Sequence, residues 1–190
     1  MPLGIAPQGR CSDPSEVSAV ARQYGLLLLD EENIRAARAL AARLVGGAVA
    51  SDEAFVSVQH AAGAAIFGFF EAGEISALLA AFAVNANGLD LLQRGVFDAV
   101  DIDLSTIAPP GETPAAYYGW GFAAATNDGG RAVVKASAQI HRQLYWATPT
   151  FARAVTADGL RALTAIGFRP TNSADESLLW IPANTFVPSR

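Results

Sequence analysis

The chain has 190 residues, 52% of them hydrophobic, with 13 Lys and Arg against 18 Asp and Glu, a formal net charge of −5. That length suits one domain with a full core, needing no disulfide or metal to hold it. The acidic balance argues against a nucleic-acid binder, which needs a basic face to displace counterions.

The most apolar run, Ile75 to Val84, has ten residues, about half of a spanning helix, and excludes a transmembrane segment on length. Met1 to Arg10 has no basic start followed by an apolar stretch, so no signal peptide is expected. Cys11 is the only cysteine, which excludes an internal bridge, offers no zinc spacing and fits a reducing cytoplasm.

Residues 1–15, with Pro2, Pro7 and Pro14, are expected to be a loose leader. Gly25 to Leu29 is a short apolar run that suits either a strand or the end of a helix from Glu16. A helix is expected from Glu31 to about Val45, capped by Asp30, with Ile34, Ala37, Ala41 and Leu44 on one stripe and Gly46-Gly47 as its stop. A second helix covers Asp52 to His60.

Ala64 to Glu71 and Glu74 to Val84 form the arms of a hairpin, with Ala72-Gly73 at the turn. Asn85 to Gly88 carries turn chemistry, and Val96 to Leu104 is expected to be extended. Ala115 to Thr126 is a buried strand, followed by a helix from Gly130 to about Leu144. Thr150 to Val155 is a short strand. Thr156 or Asp158 caps a helix to Ile166, with Leu160, Leu163 and Ile166 inward and Gly167 as the stop. Glu176 to Ile181 is the last strand. This order implies a mixed α/β (α+β) sheet covered by helices.

The segment between the central strand and its helix, Asn127-Asp128-Gly129-Gly130-Arg131-Ala132, carries the chemistry. A Gly-rich turn there leaves backbone N–H groups facing outward at a helix N-terminus, which suits a pyrophosphate. Gly129 and Gly130 let a ligand approach the backbone, and Arg131 adds a charged donor. Strand-to-helix turns of this composition also occur with no ligand.

The order and spacing of this segment and the stretch after it resemble the GNAT superfamily of acyl-CoA-dependent N-acyltransferases. Asn127 to Ala132 fits that family's Gln/Arg-x-x-Gly-x-Gly/Ala loop at its Gly and Gly/Ala positions. Thr156 to Phe168 looks like its last helix and Gly-Phe ending. The resemblance covers roughly Asp30 to Pro182, most specifically Tyr117 to Phe168. It implies a mostly antiparallel sheet flanked by helices, in a single domain over residues 16–190. It also implies acetyl-CoA or another acyl-CoA as co-substrate and an amine, on a small molecule or a protein, as acceptor. The pantetheine arm would pair with the strand backbone from Phe122 to Ala124. The loop amides would hold the pyrophosphate.

Three departures bear on catalysis. Asn127 stands where the family has Gln or Arg. The last helix has Leu163 near the family's thiolate-protonating Tyr, and no Tyr of its own. No Asp or Glu lies between Tyr117 and Thr126. The remaining candidate proton carriers are Tyr117, Tyr118 and Glu71, each also explained as a core aromatic or a turn acid. The alternative is a GNAT-like binding or regulatory module without catalysis. His60 and His141 suit structural roles, His141 as a cation near a helix end. Asp98, Asp101 and Asp103 match no calcium loop and suit a strand edge. Ala-rich apolar surface segments would suit a homodimer.

Overall fold

The computed structural model describes residues 13–45 and 48–183. Cys11, Gly46, Gly47 and most of the expected leader lie outside the described residues. Pro14 and Ser15 do not belong to a leader, because Asp13 caps a helix that starts there. Its carboxylate accepts the Ser15 N–H at 2.8 Å, and Pro14, which has no N–H to satisfy, suits the first helical position.

In chain order the elements are α1 Pro14–Arg22, β1 Leu26–Leu28, α2 Glu31–Val45, α3 Asp52–Ala62, β2 Ile66–Glu71, β3 Glu74–Val84 and α4 Ala86–Arg94. They continue with β4 Ala116–Ala124, α5 Asn127–Ile140, β5 Thr150–Arg153, α6 Ala157–Ile166, β6 Arg169–Pro170 and β7 Leu178–Ile181. The open choice at Gly25 to Leu29 resolves as the edge strand β1.

The seven strands form one sheet in the order β1-β2-β3-β4-β5-β7-β6. Every pairing is antiparallel except β4 with β5. The fold is therefore a mixed, mostly antiparallel sheet with helices on both faces. Ile34, Phe55, Phe82, Leu92 and Tyr118 fill the core under α2, α3 and α4. Val17, Phe67, Leu79, Val133 and Ile140 fill the core under α1 and α5 on the other face. Leu163 and Phe168 pack with Leu179 in a smaller cluster under α6.

The hairpin forms as expected. Ala72 and Gly73 both adopt positive φ, 52° and 85°, matching the twist of a two-residue hairpin turn. Two expected segments are corrected. Asn85 to Gly88 is not a turn: the Asn85 side chain accepts from the Asn87 and Gly88 N–H groups and caps α4. Val96 to Leu104 is not extended. Asp98 accepts from the N–H groups of Val100 and Asp101, and Asp103 accepts from Ser105 to start a 3-10 turn at Leu104–Thr106. Side chains that satisfy nearby backbone donors compete with a strand ladder there.

The long helix starts at Asn127, not Gly130, and ends at Ile140, where a π-helical turn, His141–Tyr145, follows. In α6, Leu163 is buried as expected, whereas Leu160 is exposed. Among the described residues, no helix is long and apolar enough to cross a membrane.

Candidate functional site

The candidate site lies where the sheet parts. β4 pairs with β5 only from Tyr117 to Gly119, against Thr150 to Ala152. On its other edge β4 follows β3 to Ala124, with one irregularity. Ala81 faces Gly119 and Ala80 faces Gly121, so Trp120 is an extra residue. Such a bulge bends and twists its strand. It turns the end of β4 away from β5, which itself stops at Arg153. From Trp120 to Ala124, the β5-facing backbone edge has no strand partner.

The gap opens into a cleft of about 510 Å³, within the size range of small-molecule sites. On one face it is walled by the last turn of α2, Phe55, Trp120 and the Ala99–Val100 loop. On the other face it is walled by Gly130, Val133 and Val134 of α5 and by Gly159, Ala162 and Leu163 of α6. The Trp120 indole donates to the Ala99 carbonyl at 2.8 Å, and its ring packs on Phe55 with centroids 4.4 Å apart. The bulge residue therefore braces the Ala99 loop.

Arg153 lines the cleft where the strands part. Its guanidinium donates to Asp175 at 2.6 Å, the Tyr118 hydroxyl at 2.8 Å and the Phe97 carbonyl at 2.7 Å. Burial alone would depress its pKa, but Tyr118 and Asp175 outweigh that and hold it above its ordinary value. Burial raises the Tyr118 phenol, and Arg153 offsets part of that rise. Tyr118 therefore keeps its proton at neutral pH, and its oxygen accepts from the Arg153 guanidinium.

The expected pyrophosphate loop forms the N-terminus of α5, beside the end of β4. Thr126 caps it. Its Oγ1 accepts from the Gly129 N–H at 3.1 Å, and its carbonyl accepts from the Gly130 N–H at 3.0 Å. The N–H groups of Asn127 and Asp128 remain, with no intrahelical partner. The two glycines differ in role. A Cβ on Gly129 would stand 2.7 Å from that of Ala77, so this glycine permits close helix–sheet packing. A Cβ on Gly130 would meet only Ala124, at 3.6 Å, and Gly130 borders the cleft.

Of the residues singled out in the sequence, Phe122, Ala124, Gly130 and Tyr118 meet at this cleft. Asn127 and Asp128 are exposed at the helix end, and Arg131 pairs with Asp128 at 3.3 Å. Ala132 is buried against the sheet. Tyr117 lies on the opposite face of β4, stacked on Tyr145 at 4.0 Å, and its hydroxyl has no hydrogen-bond partner among the described residues. Burial pushes its pKa well above the ordinary value.

Glu71, at the end of β2, accepts from the Thr126 hydroxyl at 2.7 Å and so sits at the α5 N-terminus. Hydrogen bonds from Ser76 and Thr126 lower its pKa. His60 pairs with Glu31 at 3.4 Å on the surface. His141 is not a helix-end cation. It is buried, with Nδ1 2.9 Å from Thr150 Oγ1, and burial lowers its pKa to about 4.

Sequence reasoning missed Arg153, the bulge at Trp120 and the Ala99–Val100 wall. One signal was available: Arg153 is a charge at the end of an otherwise uncharged strand, and such a charge needs partners. Among the described residues, no group of three His, Cys, Asp or Glu is placed to hold a metal.

No protein-family profile matches the chain, and no curated protein matches it in sequence. Solved structures do match in shape. A GNAT-like decarboxylase, GphF, in complex with isobutyryl-CoA superposes with a TM-score of 0.52 at 15% identity, over 75% of this chain and 71% of that one. The ribosomal-protein-S18-alanine N-acetyltransferase of Escherichia coli gives a TM-score of 0.52 at 14% identity, over 85% of this chain and 95% of that one.

Proposed function

We propose that this chain, which has the GNAT fold, binds an acyl-CoA along the open edge of β4 and transfers its acyl group to an amine. One observation carries the reading. The unpaired backbone from Trp120 to Ala124 runs straight to the α5 N-terminus, with a cleft of about 510 Å³ alongside. An extended amide-bearing arm can add to that edge as a strand would. The N–H groups of Asn127 and Asp128 and the helix dipole then face the pyrophosphate.

In the transfer, the amine nitrogen attacks the thioester carbonyl. A C–N bond forms, the C–S bond breaks, and the proton that the nitrogen loses ends on the departing sulfur, leaving an amide and a thiol. Backbone N–H groups at the bulge suit the developing oxyanion. Water in the cleft can relay that proton from nitrogen to sulfur, and Tyr118 is the phenol that borders the path. The acceptor is an amine on a small molecule or a protein.

A second reading, binding without catalysis, is favoured by one feature of the lining. Among the described residues its only carboxylate is Asp158, which is paired with Arg161, and it contains no histidine. Turnover with any amine, lost on altering the cleft, would remove that reading.

The test is calorimetric titration of CoA into the wild type and Gly130→Trp. The wild type should bind, and the indole should block the cleft and weaken binding at least about tenfold. No binding by the wild type would end both readings.

A further inference from the structure

We infer that the acyl group taken by this cleft is an apolar chain longer than acetyl, seated between α2 and the Ala99–Val100 loop. The inference rests on the proposed acyl-CoA reading and specifies its substrate.

If the pyrophosphate sits at the α5 N-terminus, the arm runs from Ala124 back towards Trp120. That path is about 13 Å at a strand's rise per residue. The thioester therefore arrives at the bulge, and whatever it carries continues past Trp120 onto the α2 face. There the wall is apolar: Ala41, Leu44, Val45 and Val49 on one side, Phe55 and Val100 on the other.

Independently, large apolar side chains stand exposed at this place. Leu44 is 42% exposed and Val100 44%, and both border the cleft. An acetyl group would leave them in water. A chain of four to eight carbons would cover them, and its own methylenes would leave water too. The charge in this half is accounted for. Arg153 is committed to Asp175, Tyr118 and Phe97, and among the described residues this wall carries no carboxylate to attract an ammonium group.

The test is a calorimetric series with CoA, acetyl-CoA, isobutyryl-CoA, hexanoyl-CoA and octanoyl-CoA. Affinity should rise roughly three- to fourfold per buried methylene until the wall is filled. Hexanoyl-CoA should bind at least about tenfold tighter than acetyl-CoA. Leu44→Asp and Val100→Asp change exposed positions on separate segments, so folding is expected to survive in both. In each variant the ratio of hexanoyl-CoA to CoA affinity should fall towards one.

CoA binding with no dependence on chain length would overturn this inference while the acyl-CoA reading stood, and would assign the apolar wall to the acceptor. A chain-length rise that both variants preserve would also overturn it, because the chain would lie elsewhere. Failure of CoA and every thioester to bind would overturn the inference together with the reading it rests on.

Discussion

His141 illustrates how one side chain couples the fold to pH. It lies at the end of α5, packed against β5 through Thr150, and burial lowers its pKa from 6.5 to about 4. The unfolded chain therefore takes up a proton as pH falls through 6.5, and the folded chain does not do so until about 4. Between those values the unfolded state binds more protons, so stability is full above pH 6.5 and is lost as pH falls. By pH 5 the loss from this residue comes to about 2 kcal/mol. Urea unfolding at pH 7 and pH 5 measures it. His141→Gln, which can keep a hydrogen bond to Thr150 but cannot titrate, should lose less stability over that interval. Equal losses in the two proteins would place the acid sensitivity elsewhere.

At the scale of elements, the N-terminus of α5 carries two demands at once. It must be capped, and the proposed function needs it to receive an anion. Thr126 caps it, and Glu71 holds Thr126 from the end of β2. Hydrogen bonds keep Glu71 ionised, so a negative charge already stands where the pyrophosphate would bind. Glu71→Gln keeps an acceptor for the Thr126 hydroxyl and removes the charge. CoA should then bind about two- to fivefold tighter, and the gain should shrink in high salt. Unchanged or weaker binding would mean that the pyrophosphate does not lie beside this carboxylate. The tie is invisible in the sequence, where Glu71 and Thr126 are far apart and Glu71 reads as a turn acid. Helices α2 and α6 were legible because their caps and apolar stripes are local, and α5 by its stripe, although its start was read three residues late. α4 was not, because Asn85, Asn87 and Gly88 are turn residues until one sees Asn85 capping a helix. The loop's Gly-Gly pair was legible as a close-approach site. That Gly129 serves the sheet and Gly130 the cleft depends on where β3 lies, which no local pattern reports.

For the whole molecule, the parting of β4 from β5 creates the cleft and also leaves the sheet with a weak seam. That the sheet is mixed was readable from a hairpin followed by alternating strands and helices, but the bulge at Trp120 depends on register against β3. Arg153 closes the seam at the point where backbone pairing stops. Through one guanidinium it joins the Asp175 loop, β4 at Tyr118 and the loop at Phe97. That side chain is 15% exposed and Asp175 is 21% exposed, so water compensates little of a broken pair. Arg153→Met should therefore cost about 2–4 kcal/mol, largely because Asp175 would keep a charge without its partner. Adding Asp175→Asn removes that charge, and the double variant should recover part of the loss. A double-mutant cycle read by urea unfolding should give a coupling of about 1–3 kcal/mol. Additive losses would show that Arg153 and Asp175 do not act as a pair at the seam. The cycle should also be visible at the cleft. If Arg153 holds the Phe97 segment, its loss frees the Ala99–Val100 wall, and Arg153→Met should weaken binding of a long-chain acyl-CoA more than binding of CoA itself.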